Sequence, residues 1–184
     1  MKKYTINGSE LSDSQKEQLF GLLKSREQDF VPPISERGIK SADENIEDYF
    51  QHLLEMKLVL IEIVIETDPA DGNSSPEENG TARLAAYLAY EPEHYFPSTG
   101  ENILYMSSAI VDPAFRGHHF LEEMYESCFE EAGERPVGTR TWSTNGVQLH
   151  VLPKLGFQVA ERIENDRGPG IDSLYFIRYN TVQN

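Results

Sequence analysis

The chain has 184 residues, with 31 acidic against 16 basic side chains and a formal charge of −15. Hydrophobic residues at 39% and aromatics at 10% are enough for one buried core, which excludes a disordered chain. A field of this sign repels phosphates, so neither nucleic acid nor an anionic membrane is an expected partner.

The apolar run at 58–65 is far shorter than the roughly 20 residues that cross a bilayer. The opening MKKYTINGSE carries two lysines with no apolar stretch behind them, so no signal peptide is expected and a cytoplasmic location is. The single cysteine, Cys128, leaves no room for an internal disulfide framework or a Cys-based zinc site. The acid is concentrated: between Ser41 and Gly100 there are 13 acids and two bases. Such a surface favours solubility and draws cations toward the protein.

In chain order, Ser14-Gln15-Lys16-Glu17 has the form of a capping box. Leu19, Phe20, Leu22 and Leu23 follow it as an apolar side, and Val31-Pro32-Pro33 is the expected stop. A second box, Ser41-Ala42-Asp43-Glu44, opens a helix with Ile46, Tyr49, Phe50, Leu53 and Leu54 on one face. Residues 57–67 (KLVLIEIVIET) predict a strand covered on both faces. The turn-rich 68–80 is an expected hairpin loop, with 83–90 as the returning strand and 91–101 as another loop. A strand at 102–111 stops at Asp112-Pro113, and a helix fits 117–132, with Gly133 as its end. Strand 137–143, helix 145–155 and strands 157–163 and 173–179 complete an α-α-β-β-β-α-β-α-β-β order. The whole of 1–184 reads as one α/β (α+β) domain, with a helical part at 11–56 and a mixed, mostly antiparallel sheet at 57–179.

The segment with the clearest chemistry is the turn after strand 102–111. The first turn of a helix has unpaired N–H groups and a partial positive end, so it accepts an anion well. Arg116 adds a forked cation there, and His118 and His119 add further donors. Val111-Asp112-Pro113-Ala114-Phe115-Arg116-Gly117 resembles the strand-to-helix turn of GNAT-fold N-acetyltransferases, whose pattern is V-x-P-x-x-R-G-x-G-x-G. Ser143-Thr144-Asn145 and Lys154-Leu155-Gly156-Phe157 are similar to the start and close of that family's next helix, and 166–172 to a turn in a subset of it.

The resemblance implies acetyl transfer from acetyl-CoA, as co-substrate, to a primary amine of a small molecule. It places the pyrophosphate on Arg116, Gly117, His118, His119, Phe120 and Leu121. The pantetheine arm would lie along Ala109, Ile110 and Val111 as an added strand, with Asn145 orienting it. A backbone N–H near Ile110 would steady the developing oxyanion. Two features depart from the pattern. His119 and Leu121 replace glycines, and His119 is expected to keep its N–H available at helical angles. Leu152, followed by Pro153, stands where many relatives place a general-acid tyrosine.

Further candidates come from the residues themselves. Glu62, the one charge inside an apolar strand, is a candidate base or acceptor contact, and Tyr105 and Ser108 are candidate substrate or proton groups. No metal is expected, because the adjacent His118 and His119 diverge and no nearby Cys or Asp completes a set. His150 reads as a partly buried, hydrogen-bonded histidine and Cys128 as a core residue. Trp142 reads as core or cleft wall. An acidic surface favours a cationic acceptor through steering. Two other readings stand beside the enzyme: an inactive CoA-binding or partner-binding regulatory module, and an interaction protein built on the two leading helices. An exposed edge strand also suits a homodimer.

Overall fold

The structure is a computed structural model that describes residues 1–36, 45–66 and 80–180. Its elements are β1 (Lys2–Asn7), α1 (Asp13–Ser25), α2 (Ile46–Glu55), β2 (Lys57–Glu66), β3 (Gly80–Phe96) and β4 (Glu101–Val111). They are followed by α3 (Phe120–Ala132), β5 (Val137–Trp142), α4 (Gly146–Lys154), β6 (Gln158–Ile163) and β7 (Ser173–Arg178). The strands form one sheet in the order β1-β2-β3-β4-β5-β7-β6. Every junction is antiparallel except β4–β5, which is parallel. None of the described helices is long and apolar enough to cross a membrane.

Alternate residues of β2 serve opposite faces of this sheet. Val59 and Ile61, with Leu88 of β3 and Met106 of β4, pack against Met124 and Cys128 of α3. Leu58 and Leu60, with Tyr87 and Ala89 of β3, pack against Leu19 and Leu23 of α1 and Leu53 of α2. Burying each large apolar side chain contributes about 1.5–3 kcal/mol, so both helical layers are held by the same strand. The first half of the expected strand, Leu58 to Ile61, is therefore covered on both sides, whereas Val64 and Ile65 near the end of β2 are exposed. Cys128 is fully buried, and burial pushes its thiol well up, which makes it a core residue.

Several boundaries depart from the sequence expectations. The first strand was not expected. Its Tyr4 and Ile6 alternate with exposed neighbours and reach the α1–α2 side of the sheet, while its backbone pairs with β2 from Lys2↔Glu62 to Asn7↔Lys57. The first capping box lies two residues earlier than Ser14-Glu17. The Ser12 side chain accepts from the Gln15 N–H at 3.3 Å, and the Gln15 side chain accepts from the Ser12 N–H at 3.0 Å. Helix α1 ends at Ser25, well before the prolines, where the Ser25 hydroxyl donates to the Leu22 carbonyl at 2.8 Å. The box at Ser41-Glu44 lies outside the described residues, as does most of the 68–80 loop. Asn45 is the cap of α2, accepting from the Asp48 N–H at 2.9 Å.

Residues 91–96, expected in a loop, extend β3. Pro92 is tolerated because the pairing with β4 is irregular between Glu91 and His94, and its carbonyl accepts from Arg135 Nη1 at 2.6 Å. Helix α3 starts at Phe120 and not at 117, for reasons set by the turn before it.

Candidate functional site

Ala89 pairs with Ser108 but Tyr90 pairs with Met106, so Ser107 is an extra residue in β4. A bulge of this kind bends a strand and increases its twist. On its other edge β4 meets β5 at only three positions, ending at Met106↔Thr139. The Thr139 hydroxyl donates to the Met106 carbonyl at 2.8 Å at that last pair. Beyond it the two strands separate around a cleft of about 700 Å³, lined by Ser107–Val111 on one wall and by Arg140–Trp142 on the other.

The cleft opens toward both faces of the sheet. Tyr125 of α3 and Asn145 and Gln148 of α4 line it on one side, with the turn at 115–122. The Tyr125 hydroxyl donates to Gln148 Oε1 at 2.8 Å, and the Asn145 side chain caps α4 by accepting from the Gln148 N–H at 3.3 Å. On the other side lie Arg26, Asp29 and Phe30, from the 3-10 turn that follows α1. Arg167, in the 166–172 turn, closes this side. Its Nη1 donates to the Val31 carbonyl at 2.8 Å, and its guanidinium lies 5.6 Å from the centre of the Trp142 ring. That turn is therefore tied to the N-terminal segment beside the cleft, and Trp142 is cleft wall.

At the turn itself, Asp112 ends β4 and caps a short 3-10 turn by accepting from the Ala114 N–H at 2.9 Å. Gly117 has φ +81° and His119 φ +58°, which keeps 117–119 out of the helix. The expectation that His119 takes ordinary helical angles is thus corrected: it adopts the left-handed conformation that suits a glycine. Its ring projects into solvent, 3.4 Å from Glu122 Oε1. Helix α3 has no side-chain cap, whereas α1, α2 and α4 are capped by Ser12, Asn45 and Asn145. The first-turn N–H groups of α3 therefore face the cleft without an internal acceptor. Leu121 is half-buried, packed on the α3-side core while also lining the cleft. Because a left-handed non-glycine residue costs about 1–2 kcal/mol, offset in part by glycine's entropy, His119→Gly is expected to raise unfolding stability by about 0.5–1 kcal/mol. Denaturant unfolding reads this directly; a loss of stability would contradict the assigned strain.

Arg26 forms an ion pair with Asp29, and Arg116 Nη2 stands 3.7 Å from the same carboxylate. Among the described residues three buried side-chain polar atoms lack a hydrogen-bond partner, and two of them, Arg26 Nε and Thr141 Oγ1, belong to residues lining this cleft. Thr141 is 2% exposed. An orphaned buried hydroxyl or guanidinium N–H carries a desolvation cost that a ligand would relieve.

Every residue assigned from the sequence to a cofactor lines the cleft: Ala109, Ile110, Val111, Arg116, Gly117, His118, His119, Phe120, Leu121 and Asn145. Phe120 contributes backbone there, since its side chain is buried in the core. The three catalytic candidates fare differently. Glu62 lies away from the cleft, where it accepts from the Tyr4 hydroxyl at 2.6 Å and from Gln15 Nε2 at 3.1 Å. It fastens β1 and α1 to β2. Burial and the Glu62 carboxylate hold the Tyr4 phenol well above its ordinary range. Tyr105 is stacked on His94, with ring centres 4.4 Å apart, and burial pushes its phenol up to about 12; it does not line the cleft. Ser108 does line it, but its hydroxyl is shared with the buried Tyr87 hydroxyl at 3.0 Å. Leu152 is fully buried in the core, and His150, expected to be partly buried, is exposed, with Nε2 2.6 Å from Lys154 Nζ. Sequence reasoning missed Arg26, Asp29, Phe30, Arg140 and Thr141; each comes from a segment with no motif of its own.

No model of a known protein family matches the sequence, and no curated protein does. Solved structures match it closely in shape. An aminoglycoside 6'-N-acetyltransferase complexed with coenzyme A aligns with a TM-score of 0.63 at 13% identity, covering 100% of this chain and 99% of its own. A protein from Desulfovibrio desulfuricans assigned to the GNAT family of acetyltransferases aligns at 0.62 and 12% identity, over 97% and 99% of the two chains. Ribosomal-protein-alanine N-acetyltransferase from Brucella melitensis aligns at 0.58 and 14% identity, over 96% and 99%. The chain has the fold of the GNAT N-acetyltransferases.

Proposed function

We propose that the protein transfers an acetyl group from acetyl-CoA to a primary amine of a small molecule by direct attack. The observation that carries this is the convergence, on one cleft, of an uncapped helix start, a strand edge released by a bulge, and the unpartnered buried hydroxyl of Thr141. These features fit a long ligand with an anionic end. Nothing lies within 4 Å of where a Cβ on Gly117 would stand, so the turn's backbone is open to close approach. Arg116 and the N–H groups of 117–121 would hold the pyrophosphate. Ala109, Ile110 and Val111 would pair with the pantetheine arm, and Thr141 and Asn145 would meet it from the facing wall.

The amine nitrogen forms a C–N bond at the thioester carbonyl, the C–S bond breaks, and the sulfur leaves as a thiolate. A backbone N–H near Ile110 steadies the charge that develops on the carbonyl oxygen. The thiolate takes a proton from water in the open cleft, and the surplus amine proton goes to solvent. Leu152 offers no acid, and the Tyr125 hydroxyl is engaged with Gln148. Holding the two reactants in one cleft supplies much of the rate.

Calorimetric titration with acetyl-CoA, followed by a screen of primary amines for free-thiol release, tests the reading. Saturable binding with acceptor-dependent release is the expected result. Binding without release from any amine would instead mark a CoA-binding module without turnover, and no binding at millimolar concentration would overturn both.

A further inference from the structure

The cleft carries a charge pattern opposite to that of the whole molecule. Against a formal charge of −15, three arginines (Arg26, Arg116 and Arg140) and two carboxylates, Asp29 and Glu122, line the cleft among the described residues. Asp29 is shared between Arg26 and Arg116, and Glu122 lies by His119 on the turn. Arg140 forms no ion pair with any described carboxylate. Its Nη1 donates only to the Tyr175 hydroxyl, at 3.1 Å, and Asp166 acts on it through space while accepting from the Ser173 hydroxyl.

The position of Arg140 gives this significance. It is the first residue of β5 beyond the last β4–β5 pair, so it stands at the apex where the two strands part. Along β5, Thr139 and Thr141 are buried, whereas Arg140 and Trp142 alternate to the opposite face, with Arg140 registered against Tyr175. That face is the one closed by Arg167 and by the segment that brings in Arg26 and Phe30. Arg140, held by the Tyr175 hydroxyl and ring but by no carboxylate, and Trp142 thus line the cleft at and just beyond the apex, and Phe30 and Arg26, with its orphaned Nε, line the same cleft. A planar guanidinium presents paired donors that match a carboxylate.

Resting on the acetyl-transfer reading above, we infer that the acceptor amine carries a carboxylate, as an amino acid does, and that Arg140 reads that carboxylate at the apex of the cleft. The sequence-based preference for a cationic acceptor concerned steering and not contact. The acidic exterior governs the far field, whereas contact in the cleft is with arginine. The amine would keep a free nitrogen for attack, with Arg140 holding the neighbouring carboxylate and Phe30 and Trp142 walling its side chain.

The experiment compares matched acceptors that differ only in the carboxylate: leucine with isoamylamine, and phenylalanine with phenethylamine. Free-thiol release from acetyl-CoA is measured for the wild type, Arg140→Gln and Arg140→Lys. The expected result is a kcat/KM higher for each amino acid than for its partner amine. Arg140→Gln should erase that preference by raising the amino-acid KM about 10- to 100-fold, with Arg140→Lys partly restoring it and acetyl-CoA affinity unchanged. A second readout does not need turnover. Trp142 is the only tryptophan and lines the cleft, so its fluorescence should change saturably with N-acetylleucine in the wild type and not in Arg140→Gln. Release that favours the decarboxylated amines, or an amino-acid preference that survives Arg140→Gln, overturns the carboxylate subsite and leaves acetyl transfer standing. A fluorescence response that depends on Arg140 without any thiol release keeps the subsite and removes the transfer reading. No response to N-acetylleucine overturns the subsite whatever the turnover.

Discussion

Arg116→Ala is expected to weaken acetyl-CoA binding by about 1.5–3 kcal/mol, roughly a 10- to 150-fold rise in Kd. The size follows from the loss of a charge-assisted hydrogen bond to a phosphate. The direction follows from position: Arg116 sits at the close of the 3-10 turn that ends β4, immediately before Gly117 and the uncapped start of α3. Its side chain is 56% exposed, and its one described ionic partner is Asp29 at 3.7 Å, a carboxylate already paired with Arg26. Little of the fold therefore depends on it, and unfolding stability should barely change. Because the lost contact is ionic and open to solvent, the gap between wild type and variant should narrow as salt rises. Calorimetric titration at two salt concentrations measures both effects. An unchanged Kd at low salt would move the anion site away from this turn, and the acetyl-CoA reading would lose its anchor.

The parts of the fold that could be read from the sequence are those whose signals are local. The spacing of Ile46, Tyr49 and Leu53, all buried on one face of α2, needs no knowledge of what that face meets. The apolar run of β2 signals the two covered faces of its first half, Leu58 to Ile61, although it continues into the exposed Val64 and Ile65. Strand β1 carries no comparable signal, because its two inward residues, Tyr4 and Ile6, sit among the polar Lys3, Thr5 and Asn7. Its stability comes from pairing with a strand 50 to 60 residues away and from the hydrogen bonds that Tyr4 and Gln15 make to Glu62. That same network explains why Glu62 looked catalytic. A charge in an apolar strand must be paired, and a sequence does not say with what. Pro92 shows the reverse error: a turn signal that a β-irregularity absorbs within a strand.

The site divides in the same way. The turn residues Phe115 to Leu121 are contiguous, so a single motif covers a whole row of residues that line the cleft. The opposite rim is assembled from Arg26 and Phe30, which follow α1, and from Arg140 on β5, more than 100 residues later. The parting of β4 from β5 beyond Met106, beside the bulge at Ser107, gives those residues a common cavity. The left-handed angles at His119 were hidden for another reason. The sequence there shows a missing glycine, while the backbone retains the glycine's conformation and bears the strain.

Leu152→Tyr, the substitution that would supply a tyrosine at the position expected for a general acid, is expected to destabilise the protein and leave acyl transfer no faster. Leu152 has no exposed surface and belongs to the core cluster that includes Met124, Tyr125 and Phe157. Its carbonyl closes the end of α4 by accepting from the Phe157 N–H at 3.0 Å and the Leu155 N–H at 3.1 Å, and Pro153 follows it inside the helix. A phenol ring there overfills a packed site, which costs about 1–3 kcal/mol. A hydroxyl buried without a partner adds about 1–3 kcal/mol more. The total is a large share of the 5–15 kcal/mol that holds a domain of this kind together. Thermal unfolding and thiol release, measured on the same preparation, separate the outcomes. A lowered Tm with no gain in kcat is the expected pair. An unchanged Tm with a faster release would show that position 152 reaches the cleft, and the proton assigned to water would have to be reassigned to that side chain.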